Sequence, residues 1–140
     1  MTDGYIQKGK RLNMLKELEN KGFKDKAVLN AMNEVPRHFY LHEMFENFAY
    51  EDQAFKIGCG QTISHPSTVA FQTELLQIQK GDKVLIHDDV LATGGTLLAG
   101  SELIAKTGAK LTNCAVFIEI SALNGRNRLS SIPVHSSIIV

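Results

Sequence analysis

The stretch that most constrains this chain is KVLIHDDVLATGGTLLAG, residues 83–100: an apolar run, two adjacent acids, a short Gly/Thr turn and a helical pattern. In an open parallel sheet, ligands bind beyond the carboxyl ends of the strands. KVLIH predicts a short buried strand, which puts Asp88 and Asp89 at such an end. Ala92, Thr93, Gly94, Gly95 and Thr96 then lead into a helix start, where several backbone N–H groups lack helical partners. Gly94 and Gly95 let the backbone approach a ligand, and the two threonines add hydroxyl donors. Free amides and the helix dipole both favour an anion, so a monophosphate fits. The two carboxylates would repel it on contact. They suit sugar hydroxyls one group away, or Mg²⁺ held indirectly. The set suits a ribose 5-phosphate; the plainer alternative is a strand–turn–helix connection whose acids cap a helix.

The surrounding pattern supplies a frame. Leu12, Leu15 and Leu18 fall at helical spacing in residues 1–22, with Gly22 placed to stop the helix. FKDKAVLNAMNEVP predicts a second helix, with Asp25 as N-cap, Val28, Met32 and Val35 on one face and Pro36 at its end. Part of residues 37–50 is expected to be helical. EDQAFKIGCGQTIS, with Gly58 and Gly60, predicts an extended arm or hairpin. A third helix begins at Pro66, with Val69, Leu75, Leu76 and Ile78 as its apolar face. Thr93 to Thr107 predicts a helix closed by Gly108. KLTNCAVFIEI has the apolar density of a strand in a sheet covered on both faces. NGRNRLSSIP is a loop and VHSSIIV a last strand. Helix, strand, helix, strand, loop, strand from residue 66 onward is the order of a parallel unit with right-handed crossovers. The expected fold class is α/β: one domain over residues 1–140, with N-terminal helices, an extended arm around 58–64 and a small, mostly parallel sheet flanked by helices.

Composition narrows the function classes. With 15 Lys and Arg against 15 Asp and Glu, net charge is zero, which argues against broad binding to nucleic acid or acidic membranes. It also leaves little repulsion against self-association. Cys59 and Cys114 lack metal or redox spacing and read as buried small hydrophobes. The polar N-terminus and the absence of an 18-residue apolar run predict a cytoplasmic protein. His38 and His42, four apart, could share a metal but lack a predictable third ligand, so no metal site is expected. His87 could tune the acids or simply pack. Glu119 would share a sheet edge with Asp88 if the strands are parallel. Ser64 and His65 have no acid partner for a triad. Arg126 and Arg128 read as a solvated charge cluster.

Two resemblances sharpen this reading. VLIHDDVLATGGT resembles the phosphoribosyl pyrophosphate motif of type I phosphoribosyltransferases, and LTNCAVFIEISALNGRNRL narrows residues 83–140 to a likeness to adenine phosphoribosyltransferase. That likeness implies that Asp88 and Asp89 contact ribose hydroxyls and that Ala92, Thr93, Gly94, Gly95 and Thr96 cradle the 5-phosphate. The front part, through VPRH and AYED…IGCGQTIS, is similar to protein-L-isoaspartate O-methyltransferase over roughly residues 5–85. Here the implied substrate-side residues are Gln61, Thr62 and Ser64.

The two likenesses meet inside an expected strand near residues 81–85, and each lacks its other half. The methyltransferase pattern continues from KVL into a Glu-x-Gly-x-Gly-x-Gly loop for S-adenosylmethionine; this chain continues into IHDDVLATGGT, so that cofactor is not expected. The phosphoribosyltransferase pattern lacks its base-binding hood, pyrophosphate loop and mobile catalytic loop, which carry the stabilisation of leaving-group charge. The expectation is a chimera, constructed rather than natural, of segments 1–82 and 83–140. It has no intact catalysis and no assigned catalytic residue, and it keeps weak affinity for a phosphate or ribose 5-phosphate, with Mg²⁺ only alongside a phosphoribosyl ligand. The alternatives are a residual adenine phosphoribosyltransferase and a residual isoaspartyl methyltransferase. Either parent would supply further strands, so exposed sheet edges are expected to drive a homodimer or higher assembly, and apolar patches are expected where covering elements are missing.

Overall fold

The computed structural model describes residues 2–58 and 61–140. The fold class is α/β, arranged as two compact units, Met1–Ile78 and Gln79–Val140. The boundary falls a few residues before the predicted junction between segments.

The first unit begins with α1 (Tyr5–Asn20) and α2 (Lys26–Glu34). Asp25 caps α2 as expected, its carboxylate accepting from the amides of Ala27 and Val28, and Val28, Leu29, Ala31 and Met32 are buried. In α1 the buried stripe is Gln7, Arg11, Met14 and Leu18; of the predicted leucines Leu18 is buried, Leu15 half-buried and Leu12 exposed. The helix is rotated because Arg11 has inward partners. Its guanidinium holds both carboxylate oxygens of Asp3 at 2.9 Å and donates to the Tyr50 hydroxyl at 3.0 Å.

Two 3₁₀ turns, Arg37–Tyr40 and Glu43–Phe48, occupy the segment predicted to be partly helical. The expected arm is an antiparallel hairpin of β1 (Phe55–Gly58) and β2 (Gln61–Ile63), with Phe55 opposite Ile63; Cys59 and Gly60 lie outside the described residues. α3 (Pro66–Leu75) starts at Pro66 as predicted, but its buried face is Pro66, Ala70 and Thr73. Leu75 and Leu76 are exposed together with Phe71. The i, i+4, i+7 stripe of small residues faces inward, and the larger side chains form an uncovered apolar patch.

The second unit is a parallel sheet in the order β3 (Lys83–Leu91), β4 (Lys110–Glu119), β5 (Val134–Ile139), with α4 (Gly95–Lys106) between β3 and β4. Its core joins Leu91 and Leu97 to Cys114, Val116 and Leu129. Cys114 behaves as predicted, fully buried, with burial raising its thiol pKa. The sheet is not covered on both faces. Leu85 and Phe117 are more than half exposed, because the one helix of this unit serves the face carrying Cys114 and Val116. β3 is also longer than KVLIH and is not buried: it runs through both acids to Leu91, with exposed and half-buried residues alternating along it.

Candidate functional site

The residues singled out around the Gly/Thr turn come together at the carboxyl end of β3. The turn is Ala92–Gly94, and α4 begins at Gly95 rather than at Thr93. Gly94 is the N-cap in a left-handed conformation, φ +77°, and provides no capping side chain. The first helical bond runs from the Leu98 amide to the Gly94 carbonyl at 3.0 Å. The amides before Leu98 in the first turn of α4 therefore have no intrahelical acceptor, and among the described residues no side chain caps the helix start. Thr93 and Thr96 are exposed beside them. Amides free in this way form a cradle whose geometry suits an anion.

The wall of the cradle comes from the segment after β4, which the sequence predicts as a loop. A Cβ on Gly94 would fall on the carbonyl oxygen of Gly125 and 3.1 Å from its carbonyl carbon; a Cβ on Gly125 would meet the Ala92 carbonyl oxygen, and the Gly94 nitrogen at 2.8 Å. The two backbones touch, and only glycine fits at either side. Asn124, at φ +52°, turns the chain into the 3₁₀ segment Gly125–Leu129, whose Leu129 anchors in the core.

Arg126 pins this loop, which corrects its assignment to a solvated cluster. Its Nε donates to Glu119 Oε1 at 2.9 Å, its Nη2 to Glu119 Oε2 and to Ser136, and its Nη1 to the Val134 carbonyl at 2.8 Å. Glu119 is therefore engaged in holding β4, β5 and the loop together, and hydrogen bonds from Arg126 keep its pKa below the usual carboxylate value. Arg128 points elsewhere: its Nη1 lies 3.8 Å from the position of a Cβ on Gly95, at the mouth of the cradle. Asn-Gly after a strand signals a turn, and an acid seven residues before an arginine hints at a pair. The contact of this turn with Gly94 had no local signal.

Asp88 and Asp89 lie within β3 rather than beyond it. Asp88 is opposite Val116, half-buried on the helix side, and burial raises its pKa. Asp89 is exposed on the open face, and its amide donates to Asp88 Oδ1 at 3.0 Å. His87 packs edge-on against Phe117, with ring centroids 5.1 Å apart. Among the methyltransferase-like candidates, Gln61, Thr62 and Ser64 are all exposed, the first two on β2. His38 is fully buried and shares a 2.7 Å hydrogen bond with Tyr50, whereas the His42 ring accepts from the Met44 amide. Among the described residues no group of three or more His, Cys, Asp or Glu could hold a metal. Likewise, no helix among them is long and apolar enough to cross a membrane.

Comparison with known proteins finds two families in the chain. The family model for Protein-L-isoaspartate(D-aspartate) O-methyltransferase (PCMT) matches residues 9–105. This chain belongs to that family. The protein-L-isoaspartate O-methyltransferase of Flavobacterium psychrophilum is 52% identical over 85 residues, 61% of this chain and 40% of the relative. The adenine phosphoribosyltransferase of Flavobacterium johnsoniae is 44% identical over 71 residues, 51% of this chain and 42% of the relative. The two matched lengths together exceed the 140 residues of the chain, so the likenesses overlap. A crystal structure of adenine phosphoribosyltransferase from Rhodothermus marinus aligns at 47% identity and a TM-score of 0.44, covering 45% of this chain and 36% of that one. The chain spans about two fifths of the length of these curated relatives. Its front part resembles one family and its C-terminal part the other.

Proposed function

We propose that this is a recombined domain without intact native catalysis that binds a phosphate, or a ribose 5-phosphate, weakly at the start of α4. The observation that carries this reading is the uncapped helix start. Gly94 offers no side chain to the free amides, and the backbone contact with Gly125 holds them in place without filling them. Amides presented this way bind an anion at little reorganisation, and the helix dipole adds to the attraction. The Arg128 guanidinium supplies a positive charge at the same mouth.

The position of Asp88 and Asp89 one step back along β3 suits contact with sugar hydroxyls. A bound Mg²⁺ would reach the site through the ligand and water, with these two carboxylates as its only nearby acids on the strand. Turnover by a residual phosphoribosyltransferase requires a cation at the departing pyrophosphate. Arg128 lies at the phosphate end instead, which favours binding without catalysis. Residual isoaspartyl methyl transfer requires S-adenosylmethionine, and retention of that cofactor in equilibrium dialysis would revive it. The test of the binding reading is calorimetry with ribose 5-phosphate. Saturable uptake of one equivalent is expected, weakened in Gly94→Ala. No uptake by a folded protein would leave the stretch as a turn only.

A further inference from the structure

β3 is an edge of its sheet, and its side chains form a charge pattern that is complementary to itself. Lys83, Leu85, His87 and Asp89 are exposed along one face of the strand, while Val84, Ile86, Asp88 and Val90 are half-buried on the other. The exposed series reads positive, apolar, aromatic, negative. We propose that two copies of this chain associate through β3, running antiparallel about a two-fold axis at Ile86, so that the two three-stranded sheets become one of six.

Three arguments fix the occupant and the register. First, an isologous contact requires each residue to meet its complement in both directions. Centring on Ile86 puts Lys83 opposite the partner's Asp89 and Leu85 opposite the partner's His87, each twice. Second, opposed residues in an antiparallel pair share a face, and a one-residue slip would join the open face of one sheet to the helix-covered face of the other. Among the registers that keep the open faces together, centring on Leu85 sets Lys83 against His87. Centring on His87 sets Leu85 against Asp89. Only the Ile86 register pairs the two charges of the open face; on the other face it sets Asp88 beside the partner's Val84. Third, the exposed Phe117, stacked edge-on with His87, widens the apolar strip beside the seam.

The other edge, β5, is shorter. It carries exposed Ile138 and Ile139 but no acidic or basic residue other than His135, so it has nothing to select a register. Zero net charge removes long-range repulsion between copies. One strand seam and a narrow apolar strip lie at the small end of stable interfaces, below about 1,200 Å² in total. The dimer should therefore be weak and dependent on concentration.

Sedimentation velocity over a wide concentration range tests this. The unaltered chain should pass from monomer to dimer, while Lys83→Glu and Asp89→Lys should each stay monomeric, because each puts like charges together twice. Mixing these two variants should restore a dimer, since both pairs across the seam are then attractive. The double variant carrying both changes should also self-associate. Amide correlation spectra of the single variants show whether each is folded, and the mixing experiment cannot succeed with unfolded chains. A monomeric unaltered chain, single variants that dimerise undiminished, or a mixture that remains monomeric would each overturn the proposal.

Discussion

The two units use polar groups in opposite ways. In the first, Arg11, Asp3, Tyr50 and His38 turn inward and bind one another. In the second, Glu119 and Arg126 also engage one another, but around the start of α4 Thr93 and Thr96 face outward and, among the described residues, Gly94 puts no side-chain cap on the helix. A buried network of mutually engaged charges is a device of architecture: it orients α1 and ties it to residues 38–50. Amides, hydroxyls and a guanidinium left facing solvent around one turn are what the proposed anion site would use. The lesson is that the number of polar residues in a cluster says less than whether they already have partners.

The largest effect expected from breaking this contrast is at Arg11. Replacing it with methionine keeps bulk but leaves Asp3 without the guanidinium and Tyr50 with His38 alone. Loss of these charged hydrogen bonds in a part-buried pair is expected to destabilise by about 3 kcal/mol at most, read as a lower urea midpoint. Next is Gly94→Ala. A Cβ there collides with the Gly125 backbone in a left-handed conformation, so a loss of about 2 kcal/mol is expected, together with weakened ribose 5-phosphate uptake. Arg126→Ala should destabilise by less than about 1 kcal/mol, because its guanidinium is partly exposed. It should nevertheless shift the amides of residues 124–129 and of the cradle. Arg128→Ala should leave the urea midpoint unchanged and weaken ribose 5-phosphate binding a few-fold, which separates a ligand contact from a loop anchor.

The smallest effect is in pH dependence. Burial lowers the pKa of His38 from its ordinary 6.5, and the hydrogen bonds from Arg11 lower that of Asp3 from 3.8. Both folded values are depressed, so the unfolded chain binds protons more readily. The His38 contribution is complete above pH 6.5 and fades as pH falls below it; the Asp3 contribution is lost at more acid pH, below 3.8. A urea midpoint series from neutral to acid pH should fall through both ranges, and the first decline should vanish in His38→Gln.

Much of this arrangement was legible in the sequence where the signal is local. Asp25 ahead of an apolar run, Pro66 at a helix start and the DDVLATGGT turn between strand and helix each dictate their own neighbourhood, and each element formed there. Faces were less legible. Leu12 and Leu15 looked like core, but the inward pairing of Arg11 with Asp3 and Tyr50 rotated α1 away from them. Leu75 and Leu76 looked like core on α3, yet Ala70 and Thr73 took the inner face. Burial depends on what covers a surface, and periodicity marks only which side chains are apolar. The support of the cradle was least legible, because the Gly94–Gly125 contact joins residues thirty-one apart through backbone atoms that carry no sequence signature.

We propose the start of α4 as an anion site in a chain that combines features of two families. A ¹H–¹⁵N correlation spectrum titrated with Mg²⁺ and phosphoribosyl pyrophosphate tests it most directly. The account predicts dispersed peaks and saturable shifts confined to the amides of Thr93 to Thr96 and the adjoining Gly125 loop. Dispersed peaks with those amides unmoved at saturating ligand would contradict it.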